Sequence, residues 1–408
     1  MPAMNQCRIC RGSLYQFLDL GQQPLSDAFR DPADESPEFT YPLTVGACTD
    51  CGMVQLMQEV PRERMFHRDY PFRTATSMFM RRHFENLAHR LLRTELTGDD
   101  PFLVEIGCND GTMLRTVAAA GIRHLGVDPA VNAIEDAAAH GVRVRAAFFE
   151  EATAVEIRDA EGPADVVYAA NTLCHIPYLE SVFQGLTHLL SPTGVFIFED
   201  PYLGDVVRLG SYDQIYDEHF YLFSGQSIAR TAQQFGFELI DVERLGVHGG
   251  EIRYTLARAG ARTPSPAVAA LLAEEAAQGL HDPQTLAAFA AEVARRRDGL
   301  VELLEKLRQE GRGVAGYGAT AKSATVLNYC GITPELLPRI YDITPAKQHT
   351  VTPGSRIPVL PFPETVADYP EYFLLFAWNH AEEIFAKESA FRQAGGKWIR
   401  YVPEVRVD

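Results

Sequence analysis

Residues 104–111 read Val-Glu-Ile-Gly-Cys-Asn-Asp-Gly and connect a short apolar run to a helix that we expect to begin near Thr112. Gly107 and Gly111 allow the backbone to turn tightly and to approach a ligand, because glycine carries no Cβ atom. About twenty residues further on, a second predicted strand ends in Asp128, where an α/β domain places the acid that binds a ribose. The stretch therefore predicts an α/β domain that binds a nucleoside-containing ligand.

The composition of this turn distinguishes two classes of cofactor. A dinucleotide-binding turn has the pattern Gly-x-Gly-x-x-Gly and places a pyrophosphate on the N-terminus of the following helix. Here Asn109 occupies the position of the middle glycine, and Glu105 precedes the first glycine by two residues. Acidic residues favour a cation, and S-adenosylmethionine carries both a sulfonium and an ammonium group. We therefore predict S-adenosylmethionine, with a dinucleotide and a turn without a ligand as the alternatives.

Strands and helices alternate from residue 102 to residue 199, which predicts a parallel sheet with helices on both faces. Two final strands, 237–245 and 250–257, form a hairpin of the kind typical of methyltransferases, in which the last strand inserts antiparallel. Phe148 could stack on an adenine or pack into the core. Because ligands bind at the carboxyl ends of the strands, the expected cofactor-binding residues are Glu105, Gly107, Asn109, Asp110, Gly111, Asp128, Pro129, Phe148 and Asn171.

The composition limits the partners and the location of the protein. A chain of 408 residues suggests two or three domains. The net charge of −17 disfavours a nucleic-acid partner, which would need an excess of Lys and Arg. We find no secretory leader and no apolar run of about 20 residues, so we expect a cytoplasmic protein without a membrane partner. We also expect a monomer.

Four of the 7 cysteines form two Cys-x-x-Cys pairs, Cys7 with Cys10 and Cys48 with Cys51. In a reducing compartment two such pairs predict a structural zinc ion with four thiolate ligands. A redox-active dithiol is the alternative for the cysteines. A nucleic-acid-binding zinc ribbon is the alternative for the module, but the acidic residues between the pairs disfavour it.

Residues 212–221 read Tyr-Asp-Gln-Ile-Tyr-Asp-Glu-His-Phe-Tyr, with three acids, three tyrosines and one histidine. The segment is either a buried polar network or a catalytic loop over the crevice of the sheet. In the catalytic interpretation His219 has the pKa range of a general base, Glu218 orients it, and Tyr216 donates a hydrogen bond to a developing oxyanion. Such a set suits methylation of a carbon next to a ketone, which requires removal of a carbon-bound proton.

Three more residues are candidates because of their position. His175 follows the predicted strand 164–170 and therefore lies at the crevice, in a catalytic or a structural role. Tyr202 follows the next strand, 194–199, in the same way, and we expect it to bind the substrate. Tyr70 belongs to the aromatic segment 66–74, which could line a pocket or pack onto a core.

The C-terminal third contains a second glycine turn. Gly316, Gly318 and Ala319 precede a helix, Lys322 adds a cation, and a predicted strand 337–342 ends in an acid. This pattern fits a turn that binds a diphosphate, as in a nucleotide-activated substrate. A fold that has lost its ligand is the alternative. Further elements, including a helix over 381–394, complete a second α/β unit.

Together these motifs resemble those of the nucleotide-sugar C-methyltransferases, which act in deoxysugar branches of antibiotic biosynthesis, including the dTDP-sugar C-3′-methyltransferases of D-tetronitrose formation. The resemblance covers nearly the whole chain in the same order. It is carried by the cysteine pairs and by Glu-x-Gly-Cys-Asn-Asp-Gly, Asn-Thr-Leu-x-His-Ile, Tyr-Asp-Glu-His-Phe-Tyr and Gly-Tyr-Gly-Ala-Thr-Ala-Lys.

The resemblance implies a zinc-binding domain over 1–66, a Rossmann-like S-adenosylmethionine domain over 67–258, and a C-terminal pseudo-Rossmann domain over 259–408. It implies methylation at C-3′ of a dTDP-linked 4-keto deoxysugar, with or without a 3-amino group. His219 would abstract the C-3′ proton. The residues implied near the enolate, the methyl group or the sugar are Tyr216, His175, Glu218 and Tyr70. An O- or N-methyltransferase and an NAD-dependent sugar oxidoreductase remain as alternatives.

Overall fold

The computed structural model describes residues 5–65 and 73–408, and in these ranges the chain forms three sheets. The N-terminal part is a small antiparallel unit that the sequence analysis did not divide into strands. Its elements are β1 (Leu14–Pro24), β2 (Thr40–Cys48), β3 (Val54–Leu56) and helix α1 (Arg62–Met65).

The central part alternates strands and helices, as the sequence predicts. Its elements are α2 (Met78–Thr94), β4 (Phe102–Ile106), α3 (Thr112–Ala119), β5 (Arg123–Asp128), α4 (Val131–Ala139), β6 (Val144–Ala146), α5 (Glu151–Glu161), β7 (Ala164–Ala170), α6 (Leu179–Leu189), β8 (Leu190–Pro201), α7 (Leu203–Leu209), β9 (Tyr221–Leu222), α8 (Gly225–Gln234), β10 (Phe237–Leu245) and β11 (Glu251–Arg258).

The order of strands in the central sheet is β10-β11-β8-β7-β4-β5-β6. Strands β6, β5, β4, β7 and β8 pair in parallel, and β11 inserts antiparallel between β8 and β10. The predicted terminal hairpin is therefore confirmed. Because β11 runs in the opposite direction, its first residue, Glu251, pairs with Pro201 at the end of β8. The start of β11 thus lies at the same edge as the carboxyl ends of the parallel strands.

The glycine turn after β4 depends on residues without a Cβ atom. All five residues of β4 are buried, as expected for a parallel strand that is covered on both faces. Gly107 has φ +70°, and a Cβ at this position would lie 2.2 Å from the hydroxyl oxygen of Thr172. No other amino acid fits there without moving Thr172, which lies two residues beyond the end of β7.

The C-terminal part is a second α/β unit with the strand order β14-β13-β12-β15-β16-β17. Its elements are α9 (Pro266–Ala277), α10 (Pro283–Gln309), β12 (Val314–Tyr317), α11 (Ala321–Tyr329), β13 (Ile340–Tyr341), β14 (Val359–Leu360), β15 (Tyr372–Leu375), α12 (Ala381–Lys387), α13 (Ser389–Gln393), β16 (Lys397–Arg400) and β17 (Arg406–Val407).

Two predicted elements of this part differ from the structure. The strand predicted over 337–342 is limited to β13, because the amide of Leu337 bonds to the carbonyl of Thr333 in a turn. The helix predicted over 381–394 is interrupted at Glu388. This residue is buried and accepts a hydrogen bond of 2.8 Å from the hydroxyl of Tyr317, which draws it out of the helical path.

The segment 212–221 is held by all three parts of the chain. Its end, β9, pairs with β3 of the N-terminal sheet. The amide of Ser26 donates to the carboxylate of Asp217 over 3.0 Å, and the hydroxyl of Thr325 on α11 donates to the carbonyl of Ile215 over 2.8 Å. One cluster of packed, buried side chains also runs through all three parts. The segment is therefore a fixed part of the interior.

Within the described ranges, no helix has the combination of length and apolar composition needed to cross a membrane.

Candidate functional site

Acidic residues surround Glu105 at the glycine turn of the central sheet, and of these Glu199 is paired with Arg253 at 2.6 Å. Glu105 is buried, and its Oε2 atom has no hydrogen-bond partner among the described residues. Burial raises the pKa of Glu105 well above its usual value, and the charges of Asp110, Asp128 and Glu199 raise it further. Such an arrangement is costly unless a positively charged ligand compensates it.

The other oxygens of this group position the turn. The carboxylate of Asp128 accepts hydrogen bonds from the amides of Asn109 (2.9 Å) and Ala130 (2.8 Å). A short helical turn, Thr74–Thr76, lies over the glycine turn, because the amide of Ala75 donates to Asp110 over 2.8 Å. The unpaired acid, the close-fitting Gly107 and this cover fit a nucleoside ligand with a cationic group, which is the chemistry of S-adenosylmethionine.

The remaining residues predicted for the cofactor surround this turn. Asn171 directly follows β7 and has a positive φ of 48°, and its side chain lies beside the carboxyl group of Glu251. Pro129 directly follows Asp128. Phe148 is half-buried, with the guanidinium group of Arg62 4.1 Å above its ring. That face of Phe148 is therefore already covered by a side chain of the N-terminal part.

The four N-terminal cysteines form one compact cluster. Their Sγ atoms all lie within 4.8 Å of one another, with 3.7 Å between Cys7 and Cys51 and 3.4 Å between Cys10 and Cys48. A tetrahedral zinc ion with Zn–S bonds of about 2.3 Å requires S···S distances of about 3.8 Å. The side chain of Gln55 donates to Cys7 Sγ over 3.1 Å and orients this sulfur. The cluster therefore fits the predicted structural zinc ion.

His219 and Tyr216 form a buried hydrogen-bonded pair. Nδ1 of His219 lies 2.6 Å from the carbonyl oxygen of Gln214, and Nε2 lies 2.8 Å from the hydroxyl of Tyr216. A carbonyl oxygen only accepts, so Nδ1 must carry the proton and Nε2 must present its lone pair to the hydroxyl. The main chain therefore selects the tautomer in which Nε2 is the basic nitrogen.

The environment keeps this imidazole neutral. Burial lowers the pKa of His219 well below its usual value, and the nearby His175 and the ammonium group of Lys322 lower it further. The rings of His175 and His219 are 5.1 Å apart, and burial lowers the pKa of His175 to about 4. The structure thus brings together the two predicted histidines, both in the uncharged form that can accept a proton.

The three acids of segment 212–221 are all buried. Asp213 is buried, and its Oδ2 atom accepts from Trp378 (2.6 Å) and Tyr401 (2.8 Å), both in the C-terminal part. Burial raises the pKa of Asp217 to about 7. Glu218 is buried near Tyr41, whose pKa is raised by burial and then by the charges of Asp217 and Glu218.

The second glycine turn is satisfied by its own chain. The amide of Ala319 donates to the carboxylate of Asp342 over 2.7 Å, and the amide of Gly318 donates to the carbonyl of Tyr341 over 2.8 Å. Gly316 lies within β12. An Asp carboxylate thus occupies the position at which a phosphate would accept from the turn. Lys322 points instead toward Trp378, whose ring centroid is 5.6 Å from Nζ.

The structure does not bring Tyr202 to the His219 pair. Tyr202 is buried under the guanidinium group of Arg244, 5.0 Å from its ring, and its neighbours include Glu275 of α9. Tyr70 lies outside the described residues. Of the residues predicted for catalysis, the structure brings together His219, Tyr216 and His175, whereas Glu218 is buried near Tyr41.

Glu251 is a site residue that the sequence analysis missed. It is fully buried at the crevice edge, and neither carboxylate oxygen has a hydrogen-bond partner among the described residues. Burial raises its pKa well above the usual value, and Glu199 and Asp200 raise it further. A signal was present: an acid that begins an inserted antiparallel strand must lie at the ligand edge of the sheet.

Comparisons with known proteins agree on all three parts of the chain. Residues 7–66 match a family model described as "Putative zinc binding domain", residues 79–242 match "Methyltransferase domain", and residues 246–403 match "C-methyltransferase C-terminal domain". The C-methyltransferase NovU of Streptomyces niveus is 34% identical over 408 residues, which cover 99% of this chain and 97% of that protein.

More distant similarities are confined to part of the chain. A ubiquinone biosynthesis O-methyltransferase of Burkholderia pseudomallei is 22% identical over 171 residues, covering 38% of this chain and 72% of that protein. The crystal structure of a SAM-dependent methyltransferase from Anabaena variabilis covers 49% of this chain and 100% of its own, with a TM-score of 0.35 and 16% identity.

The family models and the cysteine cluster together identify the cofactors of this chain as S-adenosylmethionine and a structural zinc ion.

We expect Cys51→Ser to lose the zinc ion and to destabilise the sheet that holds β9, because zinc binding contributes to folding free energy directly. Elemental analysis should find about one zinc per wild-type chain and almost none in the variant, and the unfolding midpoint should fall. Asp50→Asn changes an exposed neighbour that is not a ligand and is the control. Full zinc content in Cys51→Ser would contradict the assignment.

We expect Glu105→Gln to weaken S-adenosylmethionine binding about tenfold or more, because it removes the buried charge that compensates the cation. Calorimetric titration measures this, with the exposed Glu135→Gln as the matched control. The pKa of Glu105 is raised, so wild-type affinity should decline on acidification at a higher pH than an ordinary carboxylate would cause. Equal affinity and equal pH dependence in Glu105→Gln would refute this role.

Proposed function

The chain belongs to the C-methyltransferase family, and on this basis we propose that it methylates C-3′ of a dTDP-linked 4-keto deoxysugar, with or without a 3-amino group. The residues of the first glycine turn would hold S-adenosylmethionine, which would supply the methyl group from its sulfonium, with the electron pair of the broken S–C bond remaining on sulfur. Everything else in the reaction falls to side chains of the protein. The proposed site residues are those of the glycine turn, the His219 pair and Lys322.

One observation carries the proposal. His219 is buried and neutral, and because Nδ1 donates its proton to the main-chain carbonyl of Gln214, Nε2 is the nitrogen that can accept a proton. Transfer to an oxygen or nitrogen starts from a lone pair that the substrate already has, and one base that takes up the released O–H or N–H proton is enough. Transfer to carbon needs a base, because a C–H bond next to the ketone must be ionised first. A histidine whose tautomer is fixed by Gln214 supplies such a base, which favours carbon as the acceptor.

The proton ends on Nε2 of His219, and the C–H electron pair forms a carbon–carbon double bond while the carbonyl pair moves to oxygen. Tyr216 already donates to Nε2 over 2.8 Å. The proton therefore reaches His219 either after this hydroxyl turns away or through the hydroxyl itself. Tyr216→Phe separates the two routes, since phenylalanine cannot relay a proton. His175 and Glu218 complete the surroundings of the base.

The alternatives receive less support. An O- or N-methyltransferase could use His219 as a base for an O–H or N–H proton, but it would not need groups that stabilise an enolate. An NAD-dependent oxidoreductase would need the second glycine turn for a pyrophosphate, and the amide of Ala319 donates to Asp342 instead.

We expect the enzyme to exchange the C-3′ hydrogen of a dTDP-4-keto-6-deoxy sugar in deuterated water and to add one methyl group to that carbon. His219→Asn should lower both rates by about 10²–10⁴-fold, the usual contribution of a general base. NMR and mass spectrometry of the sugar measure exchange and methyl gain. His140→Asn is the control, since His140 makes the same Nδ1 bond to a main-chain carbonyl at the surface.

Methyl transfer to oxygen or nitrogen, with no exchange at carbon, would refute carbon methylation. Full activity of His219→Asn would refute only the assignment of the base.

We expect the exchange rate to stay constant as the pH falls through 6.5, where an ordinary histidine would take up a proton. The lowered pKa of His219 keeps Nε2 unprotonated to a more acidic pH, so the acid limb should lie well below that of a free imidazole. Initial rates in buffers of constant ionic strength test this. A midpoint at 6.5 would contradict the buried, neutral state of the base.

A further inference from the structure

Lys322 lies in the first turn of α11, where the sequence suggested a contact to a diphosphate. Its Nζ atom is buried and has no hydrogen-bond partner among the residues that the structure describes. One side of the ammonium group faces the ring of Trp378, 5.6 Å from the centroid. A buried ammonium group without an acceptor is unfavourable, so a group absent from the protein itself must complete this site.

Two acids lie near this ammonium group without bonding to it. Burial lowers the pKa of Lys322. The negative charges of Asp213 and Glu251 raise it and so partly oppose the effect of burial. Oδ1 of Asp213 and both carboxylate oxygens of Glu251 nevertheless have no hydrogen-bond partner in the described chain. One donor nitrogen of the C-terminal part and three acceptor oxygens of the central part are therefore buried without a hydrogen-bond partner among the described residues.

The position of these groups relates them to the reaction. Trp378 links Lys322 to the segment that contains His219, because its ring faces Nζ of Lys322 and its indole nitrogen donates to Asp213 over 2.6 Å. Glu251 is beside Asn171 at the carboxyl edge of the sheet, on the side of the glycine turn. The unsatisfied groups thus extend from the segment that contains the proposed base to the edge of the sheet where the methyl donor is expected. A substrate rich in oxygen atoms would satisfy both the donor and the acceptors.

We propose that Lys322 donates a hydrogen bond to the ketone oxygen that becomes the enolate oxygen, and that Glu251 accepts one from a hydroxyl or amino group on a neighbouring sugar carbon. The assignment rests on the proposed carbon methylation. It makes Lys322 a catalytic residue of the ionisation step and Glu251 a determinant of substrate specificity.

The electrostatics favour this arrangement. Ionisation places a negative charge on the ketone oxygen, and a fixed ammonium group in a buried site stabilises that charge far more than water would. The same cation opposes protonation of His219, so it keeps the base neutral before the substrate binds. The other titratable groups that face Lys322 are His248 of the central hairpin and His380 of the C-terminal part, and the pKa values of both are lowered.

The test is hydrogen exchange at C-3′ of the dTDP-4-keto sugar in deuterated water with S-adenosylhomocysteine bound, so that no methyl group transfers. We expect Lys322→Met to lower the exchange rate about 10²–10³-fold, the usual cost of losing one oxyanion donor. The affinity for S-adenosylhomocysteine should stay within about twofold of wild type. Lys322→Arg, which keeps the charge, should retain more activity, and Lys306→Met at an exposed position is the matched control.

A second readout separates catalysis from structure. Removing the cation should raise the pKa of His219, so the acid limb of the exchange profile in Lys322→Met should move to higher pH, which loss of folding would not cause. Glu251→Gln should raise KM with a smaller effect on the exchange rate at saturation. If Lys322→Met does not fold, Lys322→Gln and Glu251→Gln provide the same comparison.

Exchange within about threefold of wild type in a folded Lys322→Met or Lys322→Gln would overturn the enolate contact and leave water as the partner of Nζ. An unchanged KM in Glu251→Gln would overturn the specificity role. Failure of the wild-type enzyme to methylate carbon is a different result, because it removes the proposed function itself.

Discussion

The hydrogen bond from Nδ1–H of His219 to the carbonyl oxygen of Gln214 is only 2.6 Å long and fully buried. It uses Nδ1 for a bond to the main chain and leaves Nε2 as the ring nitrogen that can accept a proton. This bond requires the backbone of segment 212–221 to keep its shape. That shape in turn depends on three contacts: β3 pairs with β9, Ser26 bonds to Asp217, and Thr325 bonds to Ile215. The zinc cluster therefore supports the site from a distance, by ordering the sheet that contains β3.

The site separates charge along the crevice. Under the glycine turn, Glu105 and its acidic neighbours create a negative region that suits a cationic methyl donor. Around His219 the imidazoles are neutral and Lys322 is the nearby cation, which suits an enolate. Asn171 and Glu251 lie between the two regions. A reaction that joins an anionic carbon to a methyl group on a cationic sulfur benefits from both, since each region stabilises one partner before the charges cancel.

The sequence predicted the elements whose signals are local. The glycine turn, the alternation after it and the hairpin of β10 and β11 follow from residue patterns within about 20 positions. The cysteine spacing likewise predicted the cluster that the structure shows. Segment 212–221 was recognised by composition, and the structure confirms that His219, Tyr216 and His175 come together.

Contacts between distant parts of the chain could not be predicted in this way. The side chain of Lys322 turns away from the second glycine turn, where Asp342 accepts the hydrogen bond from Ala319. Nothing near Lys322 in the sequence indicates this, because Asp342 lies 20 residues further along the chain. Tyr202 follows a strand end as His175 does, yet its neighbours are Arg244 and Glu275. The break at Glu388 depends on Tyr317, 71 residues away. In each case a long-range hydrogen bond or charge overrides the local pattern.

The tautomer of His219 is the central claim, and NMR observes it directly. A long-range ¹H–¹⁵N correlation spectrum of protein labelled with ¹⁵N-histidine, with His219 assigned through His219→Asn, reports which ring nitrogen carries the proton. The account predicts a neutral ring with the proton on Nδ1 and none on Nε2, unchanged as the pH falls through 6.5. A proton on Nε2, or an imidazolium ring at that pH, would contradict it.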